Sequence, residues 1–188
     1  FAFVDPTLAS EHSANRKDMQ YYNEAIYCYY LEDYEGAMRA AKQALKLGSI
    51  KASYLLIELY YDEDSPYRDV EKTISYAKQL FEATKDPELA FLLGIVYDQQ
   101  LKDYVKAVNW YENAERLGHK RVAFYLGRIY YYGLLRTKRD GVKALSYFKK
   151  ARENGIQEAE GYIKDLEDLK GEDLQTAIDK WERAVEAG

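Results

Sequence analysis

Apolar and small residues recur along the chain in five segments that share one spacing. In each segment they occupy relative positions 0, 1, 3, 4 and 7, which lie on one stripe of a helix and not on one face of a strand. Successive segments begin 36, 34, 37 and 33 residues apart. The spacing therefore predicts a repeated helical unit of about 35 residues. The segments begin at Ala37, Thr73, Ala107, Ala144 and Ala177.

A second pattern precedes these helices and predicts a partner helix for each of them. The pattern Ala-x-x-Leu-Gly-x-x-Tyr stands at 90–97 and at 123–130, and a degenerate copy stands at 52–59. Alanine and glycine on one face allow a neighbouring helix to approach closely, and neither helix can bury its stripe alone. We therefore expect antiparallel pairs that stack on one another. A glycine follows four of the second helices, where its left-handed conformation can end the helix. These glycines are Gly48, Gly118, Gly155 and Gly188.

These patterns predict an all-α fold, an α–α superhelix or solenoid of about five antiparallel helix pairs. Residues 15–188 form a single helical-repeat domain in this interpretation, and residues 1–14, which fit no helix, form a tail or lead-in segment. The hydrophobic share of 47% is typical of a folded chain. The sequence has no run of roughly eighteen apolar residues, so it predicts no transmembrane segment. The predicted units are 15–48, 49–84, 85–118, 119–155 and 156–188.

The third and fourth units resemble the Sel-one-like repeat, a relative of the tetratricopeptide repeat. After the Ala-x-x-Leu-Gly-x-x-Tyr helix, that family has a loop and then Lys-Ala-x-x-Trp-Tyr-x-x-Ala-x-x-x-Gly. The chain has this second pattern at 106–118 and again at 143–155, where Tyr147 and Phe148 are the aromatic pair. The resemblance implies a tetratricopeptide-like helical repeat and a scaffold or adaptor in protein binding, with no catalytic role and no cofactor.

Charge is concentrated in one part of the sequence. The segment 116–152 contains eleven Lys and Arg residues and one acidic residue, Asp140, so it carries +10 while the rest of the chain carries −15. A basic block in an acidic protein predicts an anionic partner. The alternative is a solvated block that is balanced by neighbouring acids of the fifth unit, which include Glu160 and Glu167.

Tyrosine is abundant, at 20 residues, and many of these lie in adjacent pairs. Tyr97 and Tyr130 occupy the packing position of the family and are expected in the core, whereas the additional tyrosines are expected to face outwards and offer contact area. In the tetratricopeptide-type solenoids that the chain resembles, first helices line the concave surface. By register, the outward residues are Ser53, Ile57, Tyr60 and Tyr61 in the second unit, Phe91, Ile95, Asp98 and Gln99 in the third, and Arg121, Phe124, Arg128, Tyr131 and Tyr132 in the fourth.

This predicted groove is aromatic and becomes basic towards the fourth unit. It suits a protein or peptide partner, either an extended peptide or a helix, with acidic and apolar residues. One alternative is a nucleic acid or another polyanion bound by the fourth unit, although the net charge of −5 does not favour phosphate binding. Another alternative is a structural section of a longer solenoid, since the sequence stops at the repeat-end glycine Gly188.

The sequence contains no recognisable catalytic constellation. His12 and His119 have no metal-ligand partner at helical spacing, so we expect surface histidines and no metal site. Cys28 is the only cysteine, and we expect a buried, unreactive thiol. The sequence therefore predicts a protein that is not an enzyme.

Overall fold

The computed structural model describes residues 17–168 and 174–188, without the side chains of Leu174, Gln175, Ala177 and Ile178. Regular structure in these ranges is entirely helical. The predicted tail at 1–14 and His12 lie outside the described residues. The helices are α1 (Lys17–Tyr30), α2 (Tyr34–Lys46), α3 (Ile50–Tyr61), α4 (Val70–Thr84), α5 (Pro87–Ile95) with a π-helical extension (Val96–Gln100), α6 (Tyr104–Arg116), α7 (Val122–Tyr132), α8 (Gly141–Glu153), α9 (Ala159–Glu167) and α10 (Leu174–Ala187).

The ten described helices follow one another as five pairs. In the first four pairs, the two helices are joined by a short connection and pack along each other, while α10 contacts α8. The predicted all-α class with about five helix pairs is confirmed. The helices cluster into two compact units, one that ends at Thr84 and one that begins at Lys85. The joint behaviour of residues 15–188 as one domain stays a prediction.

Short polar connections end one helix and start the next. Gly48, Gly118 and Gly155 have φ angles of 87°, 88° and 90°, so the prediction of left-handed glycines after the second helices is confirmed at these positions. A residue with a Cβ pays a steric penalty in this conformation, which explains why the repeat uses glycine there.

Two further glycines allow a first helix to contact its partner. A Cβ added to Gly94 would lie 2.4 Å from Cδ1 of Tyr111, and a Cβ added to Gly127 would lie 2.7 Å from Cδ1 of Phe148. Tyr111 and Phe148 are fully buried. The glycine of the first helix is therefore the site against which the second aromatic residue of the partner helix packs.

Three helix pairs share a set of contacts that we name the Tyr–Asp–Lys motif. In the α7–α8 pair, the amide of Asp140 donates to the carbonyl oxygen of Tyr130 at 2.9 Å. The Asp140 carboxylate accepts from the amide of Lys143 at 2.9 Å, and the Lys143 ammonium lies 4.9 Å from the centre of the Tyr130 ring. The cap starts the second helix, and the cation–π contact joins it to the first. The equivalent residues are Tyr97, Asp103 and Lys106 in α5–α6, and Tyr60, Asp69 and Lys72 in α3–α4.

The Tyr–Asp–Lys motif corrects the predicted register of the second unit by one residue. Tyr60, and not Leu59, is equivalent to Tyr97 and Tyr130, which are buried as predicted. Tyr60 and Ile57 are only 6% and 0% exposed, so the prediction that they face outwards is wrong. The apolar run from Leu55 to Leu59 fits the repeat in two registers, so the hydrophobic pattern does not select one. The register shift instead gives Tyr54, Glu58, Tyr61 and Asp62 as the equivalent positions, of which Glu58 is buried and the other three are half-buried.

Candidate functional site

We use the name first-helix face for one side of the C-terminal unit. This side carries the outward residues that the sequence predicts for the third and fourth units. Phe91 is half-buried, and its ring centre lies 5.8 Å from that of Tyr111 and 6.2 Å from that of Tyr125. Asp98 accepts a hydrogen bond from the Tyr111 hydroxyl at 3.1 Å, and Gln99 is exposed. Phe91 therefore joins α5 to α6 and α7 as a packing residue, whereas Asp98 and Gln99 contribute polar groups.

Aromatic side chains from three helices form one cluster on this face. The rings of Phe148 and Tyr162 stack at 4.5 Å between centres, with an interplanar angle of 12°. Tyr162 also contacts Phe124 at 5.9 Å and Tyr131 at 5.1 Å. The cluster thus connects α7, α8 and α9, and it includes two of the predicted groove residues, Phe124 and Tyr131. Its members are Phe124, Tyr131, Tyr132, Phe148 and Tyr162.

The exposed edge of this aromatic cluster carries hydroxyl groups and a cation. The hydroxyls of Tyr132 and Tyr162 lie 3.1 Å apart, and the Arg128 guanidinium lies 5.9 Å from the centre of the Tyr132 ring. The hydrogen bond with Tyr162, together with burial, raises the pKa of Tyr132. Tyr132 is therefore a neutral donor and acceptor on a surface that also presents a positive charge.

A cavity of about 150 Å³ opens beside Arg128. It is bounded by the π-helical extension of α5, by α7, and by the connection that follows α7. In that connection Leu135 and Arg136 have φ angles of 51° and 54°, although neither is glycine. The lining residues are Asp98, Tyr125, Arg128, Ile129, Leu134 and Leu135.

The basic block is only partly balanced by ion pairs. Lys149 pairs with Glu167 at 3.2 Å, Arg152 pairs with Glu160 at 3.6 Å, and Lys150 pairs with an acid of α6, Glu115, at 2.8 Å. The predicted balance by acids of the fifth unit is thus confirmed for Glu167 and Glu160. In the part of the chain that the structure describes, the basic residues of this block without an ion pair include Arg121, Arg128, Lys138 and Arg139.

The N-terminal unit has its own group of tyrosines and acids, formed by Tyr29 of α1 and by the register-corrected positions Glu58, Tyr61 and Asp62. The Tyr29 hydroxyl donates to Asp62 Oδ2 at 2.9 Å. Burial, the charge of Glu58 and this hydrogen bond raise the pKa of Tyr29 well above its usual value. Tyr61 is half-buried, and burial together with Glu58 raises its pKa. Tyr60 instead packs in the core of this unit, 5.4 Å from Tyr76 between ring centres.

His119 is buried, at 6% exposure, so its prediction as a surface residue is wrong. Its Nδ1 accepts from the amide of Val122 at 3.1 Å, and its Nε2 lies 3.1 Å from Glu88 Oε1. Its ring centre is 4.4 Å from that of Phe91. His119 therefore accepts from the first residue of α7 and contacts the beginning of α5, a role that helical spacing cannot indicate.

The described residues offer little reactive chemistry. Within residues 17–168 and 174–188, no group of three His, Cys, Asp or Glu side chains is placed to hold a metal ion. Cys28 is half-buried, and burial, followed by the charge of Asp33, raises the pKa of its thiol. Over the same ranges, the helices include none with both the length and the apolar character that a membrane crossing requires.

Sequence reasoning did not select Tyr162 and Tyr125, although both belong to the site. Tyr125 stands seven positions after the repeat-end glycine Gly118, and Tyr162 stands seven positions after the repeat-end glycine Gly155. Tyr162 stacks on Phe148, and Tyr125 lines the cavity. Alignment of first helices on the repeat-end glycines would have found this shared position.

Comparison with known proteins identifies the repeat. Residues 87–119 and 121–156 match the family model of the Sel1 repeat, and these ranges contain the α5–α6 and α7–α8 pairs. No curated protein matches the chain. Sel1 repeats are protein-interaction repeats and not catalytic ones. The resemblance found in the sequence is thereby confirmed for the third and fourth units: the chain contains two Sel1 repeats, at 87–119 and 121–156.

Proposed function

We propose that the chain is a non-enzymatic scaffold or adaptor whose first-helix face binds an extended peptide or a helix with acidic and apolar residues. The observation that carries this proposal is the position of Arg128. Its guanidinium lies over the Tyr132 ring beside a cavity, and it forms no ion pair with the carboxylates of the described residues. A carboxylate of a partner would find there a cation that the described carboxylates leave available.

The composition of this face supports a binding role. Tyrosine and arginine are enriched among the residues that dominate the free energy of protein association. Tyr132 is 42% exposed, and its hydroxyl is held by Tyr162 at 3.1 Å. Because Tyr162 is itself stacked on Phe148, the face loses little side-chain entropy when a partner binds.

Charge supports an acidic partner. Arg121 and Arg128 are exposed and lie at the beginning and in the middle of α7. Arg139 is half-buried and lowers the pKa of Tyr131, so its charge also reaches this face. A peptide with acidic residues gains attraction from these groups, and the gain decreases as salt screens them.

A polyanion is the competing partner, and two observations weigh against it. Lys149, Lys150 and Arg152 contact carboxylates, which removes part of the block from phosphate binding. The net charge of the chain is −5, which opposes the phosphate contacts on which nucleic-acid affinity depends.

The experiment is selection of displayed random peptides on the full chain, followed by fluorescence anisotropy of the selected peptides. We expect peptides that combine Asp or Glu with apolar residues. The double variant Arg128→Gln/Tyr132→Ala should lose at least about thirtyfold in affinity, as is typical when a central contact is removed. Tyr27→Ala is the matched control, since Tyr27 is a 68% exposed tyrosine on α1.

Two outcomes would contradict the proposal. The first-helix face is ruled out as the peptide site if selection enriches no peptide with acidic and apolar residues. It is also ruled out if the double variant binds as tightly as the unmodified chain. Tight binding of a single-stranded oligonucleotide at about 50 mM salt, with no peptide selected, would support the polyanion alternative instead.

A further inference from the structure

The cavity beside Arg128 has the size and the lining of a pocket for one side chain. Its volume is about 150 Å³, and a protein cavity of about this volume accommodates benzene. Ile129, Leu134 and Leu135 supply apolar walls, while Asp98 and Arg128 supply one charge of each sign. A pocket with mostly apolar walls and few polar groups selects an apolar group and fixes its orientation.

We propose that this cavity is the anchor pocket of the first-helix face. It takes one apolar side chain of about the size of phenylalanine, while Arg128 binds a carboxylate next to that side chain in the partner. This inference rests on the proposed function and names its specificity: an apolar residue that is adjacent to an acidic one.

Two departures from regular backbone structure meet at this cavity. Asp98 belongs to the π-helical segment Val96–Gln100, and such segments occur frequently at functional sites. Leu135, in the connection after α7, has a φ angle of 51°. A leucine in the left-handed conformation is strained, and such strain is concentrated at binding and active sites. Both departures supply lining residues to the same small volume.

The two charged residues of the pocket do not neutralise each other. Among the described residues, Asp98 and Arg128 form no ion pair, and the Asp98 carboxylate instead accepts from the Tyr111 hydroxyl at 3.1 Å. A carboxylate can accept several hydrogen bonds, so Asp98 can also accept from a backbone amide of the partner. Arg128 remains available for a carboxylate, to which a guanidinium binds through two parallel hydrogen bonds.

Among the three repeats that share the Tyr–Asp–Lys motif, a positive charge at this position occurs in one, because the equivalent residue of α3 is Glu58. By the equivalence of Tyr97 and Tyr130, the position of Arg128 on α7 corresponds to that of Ile95 on α5, which carries no charge. The same correspondence pairs Asp98 with Tyr131. The combination of a carboxylate, a guanidinium and an apolar volume therefore arises from the particular residues of two adjacent repeats and not from the repeat pattern.

The test uses 3-phenylpropionate, which joins a phenyl ring to a carboxylate, and nuclear magnetic resonance of the ¹⁵N-labelled full chain. We expect saturable shifts of backbone amides in residues 125–136, with a dissociation constant of about a millimolar for so small a molecule. 3-Phenylpropan-1-ol, which lacks the carboxylate, should bind at least about threefold more weakly. Propionate, which lacks the ring, should cause no saturable shift in these residues.

Variants assign the binding to the pocket. Leu134→Glu places a negative charge at the exposed edge of the cavity, where Leu134 is 42% exposed, and it should abolish the shifts. Arg128→Gln should reduce the affinity for 3-phenylpropionate to that for the alcohol. Arg39→Gln is the matched control, because Arg39 is an exposed arginine on α2, outside the cavity lining and the first-helix face, and it should bind as the unmodified chain does.

The outcomes separate this inference from the proposed function. If peptides bind and depend on Arg128 and Tyr132, but 3-phenylpropionate binds elsewhere or is insensitive to Leu134→Glu, the anchor pocket is wrong and the proposed function stands. If neither peptide nor 3-phenylpropionate binds, both are wrong. If the small molecule binds in the pocket but no peptide is selected, the role of the pocket as a peptide anchor is wrong.

Discussion

The ring of Tyr111 lies directly against Gly94, where an added Cβ would be 2.4 Å from Cδ1. Tyr111 is 0% exposed and is enclosed by its neighbours, so the ring cannot move away at low cost. The same relationship between Gly127 and Phe148 shows that it belongs to the Sel1 repeat and not to one position.

Gly94→Ala is expected to destabilise the protein by about 1–3 kcal/mol, because the new methyl group overpacks a filled space. Gly161→Ala is the matched control, since a Cβ at Gly161 on α9 meets nothing within 4 Å. This control should raise stability by about 0.5–1 kcal/mol, because alanine favours the helix. Urea unfolding followed by circular dichroism measures both, and equal effects of the two variants would refute the packing role of Gly94.

His119→Ala is expected to lower the free energy of unfolding by about 1–3 kcal/mol, because a buried group that is bonded to Val122 and Glu88 is lost. Lys120→Ala, at the exposed neighbouring residue, should change stability by less than about 0.5 kcal/mol. Thermal unfolding of the two variants provides the comparison. A His119 variant as stable as the Lys120 variant would mean that His119 is a surface residue after all.

The Tyr–Asp–Lys motif predicts different effects for two substitutions at Asp103. Asp103→Ala removes the acceptor of the Lys106 amide and should cost about 1 kcal/mol, the usual value for loss of an N-cap. Asp103→Asn keeps an acceptor and should cost only a few tenths of that amount. Urea unfolding distinguishes them, and an equal loss in both variants would show that charge, and not capping, is the contribution of Asp103.

Tyr147 predicts a loss of stability at alkaline pH. Burial, followed by the charges of Glu112 and Glu115, raises the pKa of Tyr147 from 10 to about 12. Below pH 10, tyrosine is neutral in both the folded and the unfolded state, and the contribution of Tyr147 to stability is complete. As pH rises from 10 to about 12, the unfolded state loses its proton first, so the free energy of unfolding falls.

Tyr147→Phe should therefore show a smaller decrease in stability between pH 10 and 12 than the unmodified chain. Urea unfolding at several alkaline pH values measures this slope, and Tyr27→Phe, at a 68% exposed tyrosine, serves as the control. An identical slope in the Tyr147 variant would mean that its hydroxyl ionises equally in both states.

Salt separates the proposed peptide partner from a polyanion. A peptide that depends on Arg128 and a few neighbouring charges should lose less than about tenfold in affinity between about 50 and 200 mM salt, because only a few exposed charges are screened. A nucleic acid held by most of the basic block should lose about a thousandfold over the same range. Anisotropy titrations at the two salt concentrations measure the slope, and a thousandfold loss for the peptide would contradict the groove model.

The sequence by itself determined the repeat, its family and the helix ends. Spacing at 0, 1, 3, 4 and 7 reports which residues share a face of one helix, and this is a local property of the chain. Glycines such as Gly118 mark helix ends because their conformation is also local. The burial of Tyr97 and Tyr130 follows instead from the packing position that these residues occupy in the repeat family.

The tertiary structure decided which helical faces are covered and which distant residues meet. The apolar run around Ile57 fits two registers, and only the contacts of Tyr60 with Asp69 and Lys72 select one. His119 is buried where it contacts Phe91 and Glu88 of another helix. The cavity likewise needs Asp98, Arg128 and Leu135 from three different segments. Helical periodicity carries no information about such contacts, because they depend on how the helices pack and not on the sequence of any one helix.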